Sequence, residues 1–201
     1  MQDNKALILQ KALALFVAKG YEAVGVQELC DAAGVTKPTL YYYFGSKEGL
    51  FAALMQTFVE PFFRRLDEAA VYLPQPKDYY HDLQPVLLRV ADEYFALAKS
   101  SPEVFRLLVS LNFMPPQSSC AAIKNHFQNR QNSTLEGLFL KASEVHGNLR
   151  GREKLLATYF GSLVTSSVLL HLNQDQTNQN QTSVPPASDL VKIFMHGIFS
   201  G

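Results

Sequence analysis

A chain of 201 residues is long enough for one large domain, or for a small module joined to a bigger one. Hydrophobic residues make up 47% and charged ones 18%, below the roughly 25% usual for soluble domains; this excludes a wholly disordered chain and points to extensive helix-on-helix or subunit burial. Lys plus Arg (18) balances Asp plus Glu (18), so no global field steers the protein toward nucleic acid or an anionic membrane, and any such binding has to be local.

Apolar residues repeat at helical spacing along almost the whole chain, and β-branched alternation is scarce, which predicts an all-α fold of about nine helices. Ile8, Ala12, Leu15 and Phe16 form one face of a first helix that Gly20 ends. Val26, Leu29, Cys30 and Ala33 fall at i, i+3, i+4 and i+7, so a short second helix buries that face and stops at Gly34. Thr36 stands where its hydroxyl accepts from the free amides of the next turn, and Lys37 and Pro38 open a third helix reaching Phe44. Two short helices joined by a tight Gly-containing turn form a helix-turn-helix, whose second helix fits a DNA major groove. Ser46 caps a fourth helix running to about Tyr72, with a kink expected at Pro61. Further helices follow at about 79–99, 102–111, 118–146, 152–172 and 188–199, the second of them opened by Ser101 as cap and Pro102 in the first position. The amide-rich stretch 173–186 reads as a loop. This ordering divides the chain into a three-helix DNA-binding module, residues 1–50, and a larger helical domain, residues 51–201.

On the third helix, Leu40 and Phe44 share a face at i and i+4 and are expected to dock on the first two helices. That leaves Thr39, Tyr42 and Tyr43, with Pro38 and Tyr41 alongside, as a ridge of rings and hydroxyls pointing away from the core. Phenolic hydroxyls reach phosphate oxygens, and the Thr methyl and hydroxyl reach base edges. Charge agrees locally: residues 1–50 hold five lysines and five acids, yet Ala32 through Lys47 contains no carboxylate. Lys47 falls in the first turn of the fourth helix, where the macrodipole disfavours a cation unless an anion such as a DNA phosphate shares the site.

The run "GVTKPTLYYYFGSKEGLF" (34–51), preceded by "YEAVGVQELCDAA" and by a helix ending "LFVAKG", resembles the DNA-binding module of TetR-type transcriptional regulators over roughly residues 5–55. The resemblance implies that Lys37, Pro38 and Thr39 approach bases, that Tyr41, Tyr42 and Tyr43 contact bases or phosphates, and that Lys47 contacts a phosphate of double-stranded operator DNA; Thr36, at the start of the same helix, is also taken as a DNA-binding residue. It further implies a homodimer through the last two helices, about 152–172 and 188–199. One departure stands at the opening of the second helix, where Val24 and Gly25 replace the family's usual Thr or Ser.

The same resemblance implies a small-molecule effector pocket in the larger domain, for which His81, Tyr94, Phe105, Asn112, Phe113, His126 and Tyr159 are the candidate contacts. The rarity of charge within these helices favours an apolar or aromatic effector, whose binding is expected to release the repressor from a palindromic operator. No Gly-rich phosphate loop, nucleophile elbow or paired metal-ligand spacing is present in the sequence, so neither an enzyme, a cofactor nor a metal is expected. Residues 155–172 are uncharged, but 18 residues interrupted by Ser and Thr are short and polar for a membrane span and suit a subunit interface better. With two distant cysteines and no apolar leader in "MQDNKALILQ", the expected location is the cytoplasm.

Overall fold

The computed structural model describes residues 4–74, 79–174 and 186–197, with side chains for all of these except 79–81 and 174. Among the described residues the chain is helical and has no strand. The helices are α1 (Asn4–Lys19), α2 (Val26–Ala33), α3 (Lys37–Phe44), α4 (Lys47–Leu54), α5 (Glu60–Ala69), α6 (Tyr79–Ser100), α7 (Pro102–Ser110), α8 (Ala121–Val145), α9 (Glu153–Gln174) and α10 (Ala187–His196).

Between α4 and α5 the backbone does not break; it widens into one π-helical turn, Met55–Val59, in which the Glu60 N–H reaches back to the Met55 carbonyl. Pro61, just beyond it, has no N–H, and its ring crowds the carbonyl four residues earlier. Taking up one extra residue in the preceding turn accommodates it. The expected kink is therefore a π turn, and with α4 and α5 joined through it the described residues form nine helical rods.

The chain divides into two compact units, one formed by Met1–Phe62 with Ser101–Phe127, the other by Phe63–Ser100 with Gln128–Gly201. In the first, α1 packs on α2, α4 and α7. Its core takes Ile8, Ala12 and Phe16 from α1, Leu29 and Cys30 from α2, Leu40 from α3, Leu50 and Phe51 from α4 and Phe105 from α7, all essentially inaccessible. Each large apolar side chain so buried contributes about 1.5–3 kcal/mol. Leu9 is buried where Leu15 was expected, and Leu15 and Val26 are half-buried. Phe44 is half-buried too, so Leu40 alone anchors α3 fully.

The turns are built as the side chains dictate. Gly34 takes the left-handed conformation (φ 63°), and the Gly34 and Val35 amides close α2 on the Asp31 and Cys30 carbonyls. Thr36 accepts from the Thr39 amide (3.4 Å) and Ser46 from the Gly49 amide (3.0 Å). Ser101 occupies the cap position of α7, but its hydroxyl makes no capping bond, contrary to expectation; Pro102 alone pre-sets that helix start. A Cβ at Gly49 would lie 2.0 Å from the Phe44 carbonyl oxygen. Gly49→Ala therefore forces the α3–α4 corner apart, and a loss of about 1–3 kcal/mol is expected, read as a lowered melting temperature in a thermal denaturation.

In the second unit, α9 and α10 pack on α6, and the rings of Phe139, Phe160 and Phe194 join α8, α9 and α10 with centroids 5.0–6.4 Å apart. Gly161 lets α9 approach α8, since a Cβ there would meet Leu135 at 3.0 Å. A buried polar knot ties the chain after α5 to α6 and α8: the Tyr72 hydroxyl donates to the Asp82 carboxylate, which also holds His146 Nε2 at 2.6 Å. His146 is thus a structural residue, and among the described residues no group of three or more His, Cys, Asp or Glu is placed to hold a metal. By length and composition one described helix, Glu153–Asn173, is apolar enough to cross a membrane. The loop expected at 173–186 falls mostly outside the described residues, and α9 runs into it as far as Gln174.

Candidate nucleic-acid interface

Helix α3 is short and is set by its two ends. Thr36 starts it, with its hydroxyl also 2.9 Å from that of Thr39, and Gly45 (φ 73°) stops it while donating to the Tyr41 carbonyl. With Leu40 fully buried on one side, the helical period turns Tyr41, Tyr42 and Tyr43 outward. Tyr42 is 83% exposed, and its ring meets that of Tyr43 edge-on at 5.3 Å. Thr36, Lys37 and Pro38 are exposed and Thr39 is half-buried. Three neighbouring exposed rings form a contiguous patch of the kind that marks an interaction surface.

Lys47 begins α4, and its ammonium lies 4.1 Å from the centroid of the Tyr21 ring. The ring face supplies the negative potential that a cation at a helix N-terminus otherwise lacks. Tyr21 is itself fixed, its ring 4.9 Å from Phe51 and 5.4 Å from Phe16 and its hydroxyl 3.1 Å from Ser119 Oγ. Burial raises the Tyr21 phenol well above its ordinary pKa, so it stays a neutral platform. Beside it, the Glu48 carboxyl is held below the usual range, first by its own backbone N–H at the start of α4 and then by Ser119 and Ser46. Burial pushes the Cys30 and Cys120 thiols up, which leaves both protonated and inert.

The effector candidates are placed differently. Phe105 is fully buried in the first unit; Asn112 donates to the Val109 carbonyl; His126 is exposed with its ring edge-on to Phe127 at 5.0 Å; Phe113 is 83% exposed. Tyr94 is fully buried in the second unit, and Tyr159 stands 60% exposed on α9. The His81 side chain lies outside the described residues. Of these residues Phe113 borders a cavity in the first unit. Sequence reading missed Tyr21, which belongs to no helical stripe and shows its role only through Lys47.

Residues 8–54 match the family model of the bacterial regulatory proteins of the tetR family. Beyond that segment, the HTH-type transcriptional activator FasR of Mycolicibacterium smegmatis is 24% identical over 182 residues, 90% of this chain and 78% of FasR. Residues 8–54 are a TetR-family DNA-binding segment. The HTH-type transcriptional repressor ComR of Escherichia coli is 44% identical over 54 residues, 27% of this chain and 26% of ComR, so the stronger likeness is confined to a short segment. The structure of the transcriptional regulator FadR of Bacillus subtilis in complex with stearoyl-CoA superposes with a TM-score of 0.71 at 17% identity, covering 96% of this chain and 98% of that one. That likeness speaks for the fold. The family matched over 8–54 and the relatives named are DNA-binding transcriptional regulators, a class without enzymatic activity.

Proposed function

We propose that this TetR-family protein is a cytoplasmic homodimeric repressor that reads a palindromic operator with α3 and is released by a small apolar or aromatic effector. The observation that carries this reading is the opposition of faces on α3: Leu40 buried, and Tyr42 with its neighbours Lys37, Pro38, Tyr41 and Tyr43 exposed on a segment free of carboxylates. In a major groove, Thr39 and the Tyr42 and Tyr43 hydroxyls face base edges and phosphates, and Thr36 and Lys47 border the backbone.

Dimerisation is supported by α9. Its inner face buries Ala157, Phe160, Gly161, Val164 and Val168, while Leu155, Tyr159, Ser162, Ser166 and Leu170 are exposed along the opposite side. Large apolar groups spaced by small hydroxyls make a face that a second copy of the same helix covers closely. Ile193 adds an exposed apolar group on α10. Two-fold symmetry then presents two α3 helices to half-sites about 34–36 Å apart or at multiples of that spacing. An effector that favours a different spacing opposes DNA reciprocally, which makes the control repression.

Selection of bound duplexes from a random pool, followed by footprinting, tests the reading. An inverted repeat with protection on one face of the duplex is expected; a direct repeat or an unpaired site contradicts it. At the same operator, Lys47→Ala is expected to reduce the slope of log affinity against log salt by about one phosphate contact. An unchanged slope in a fluorescence-anisotropy salt titration removes Lys47 from the interface.

A further inference from the structure

The first unit contains a cavity of about 310 Å³ that the DNA-reading role does not use. Tyr21, Phe51, Leu107 and Ser110 of α7, Phe113 and Met114 are among the residues that line it. We propose that this cavity is a ligand site within the DNA-reading unit, taking a small flat aromatic molecule that carries one positive charge.

Size and surface set the first half of that class. A volume near 300 Å³ is at the small end of ligand sites, and three rings, Tyr21, Phe51 and Phe113, border it together with the polarisable sulfur of Met114. Phe113 projects from a short 3₁₀ turn, 83% exposed. A flat ring entering the cavity covers that side chain and removes its apolar surface from water.

Charge sets the second half. Two charged side chains line the cavity, Lys19 and Glu22. The Lys19 ammonium is engaged by Glu28 at 2.5 Å, whereas Glu22 is exposed and, among the described residues, has no ion-pair partner. Among the charged groups that line the cavity, an entering anion meets Glu22 and a lysine already held by Glu28; the Lys47 ammonium lies over the Tyr21 ring but does not line the cavity. A cation meets that carboxylate and the exposed Phe113 ring, both of which attract it.

The site has a consequence for regulation. Tyr21, which lines the cavity, is also the ring over which the Lys47 ammonium lies. A ligand pressed against Tyr21 therefore acts on Lys47 inside a single unit, and operator affinity responds without any change of spacing between two reading heads. This coupling rests on the proposed contact between Lys47 and a phosphate; the site itself does not.

The test uses the full chain and benzyltrimethylammonium, with benzyl alcohol and phenylmethanesulfonate as the uncharged and anionic comparisons. In methyl-labelled NMR without DNA, the cation is expected to give saturable shifts at Leu107 and Met114 and to bind about tenfold more tightly than the sulfonate, the order expected for a cation on aromatic faces. Phe113→Ala, at an exposed position that the fold does not need, is expected to weaken it by about tenfold, and Glu22→Gln to remove most of the preference for the cation. No saturable shift, equal binding of the sulfonate, or binding indifferent to Phe113→Ala overturns the site. If the cation binds as described while operator affinity stays constant, the coupling is overturned. If Lys47→Ala leaves operator binding unchanged, the failure belongs to the proposed phosphate contact and is recognised as such.

Discussion

Leu40→Ala is expected to unfold the reading head, while Tyr42→Ala, two positions along the same helix, leaves it folded and deprives it of DNA. Leu40 is wholly inaccessible, and truncating such a side chain costs about 2–5 kcal/mol out of a total stability of about 5–15 kcal/mol. Tyr42 is 83% exposed, and a substitution at such a position changes stability by no more than about 0.5 kcal/mol. Its loss from a groove removes about 1–3 kcal/mol of binding, or roughly tenfold or more in operator affinity. Circular-dichroism melting and fluorescence anisotropy on the same two variants separate the outcomes. Equal destabilisation by both substitutions would place Tyr42 in the core and end the account of α3 as a reading helix.

Tyr159→Asp is expected to produce a folded monomer. The side chain is 60% exposed on α9, so a carboxylate there is solvated in the single chain and costs the fold little. Placed in the middle of an apolar face that a second copy covers, the same carboxylate is desolvated without a partner, which costs several kcal/mol. Sedimentation velocity is expected to show the monomer at micromolar concentration. Operator affinity falls with it by about 10²-fold or more, because two linked heads gain about 10²–10⁴ over one. A variant that remains dimeric would move the interface away from α9.

The parts of this architecture written in local chemistry were legible before any coordinates. Thr36 and Ser46 as caps, Gly34 as a left-handed stop and Leu40 against Tyr42 on α3 all depend on neighbours within four residues, and the structure holds each of them as expected. Where long-range packing decides, local pattern failed. Ser101 has the right type and position for a cap, yet its hydroxyl makes no capping bond. Phe44 has the helical spacing of a core residue and is only half-buried. Tyr21 falls between α1 and α2 and carries no periodicity, so its place beneath Lys47 depends on Phe16, Phe51 and Ser119, which come from three other segments. The same reason explains the effector candidates. Tyr94, Phe105, Phe113 and Tyr159 have the same apolar signature in sequence, while the fold buries two of them completely and leaves two in water.

Titrating protein carrying ¹³C-labelled tyrosine with the selected operator duplex tests most directly the claim that an outward aromatic ridge grips DNA. The ring resonances of Tyr41, Tyr42 and Tyr43 are expected to shift or broaden on binding, while those of buried Tyr94 keep their positions. Operator binding that leaves the three α3 rings unmoved would contradict it.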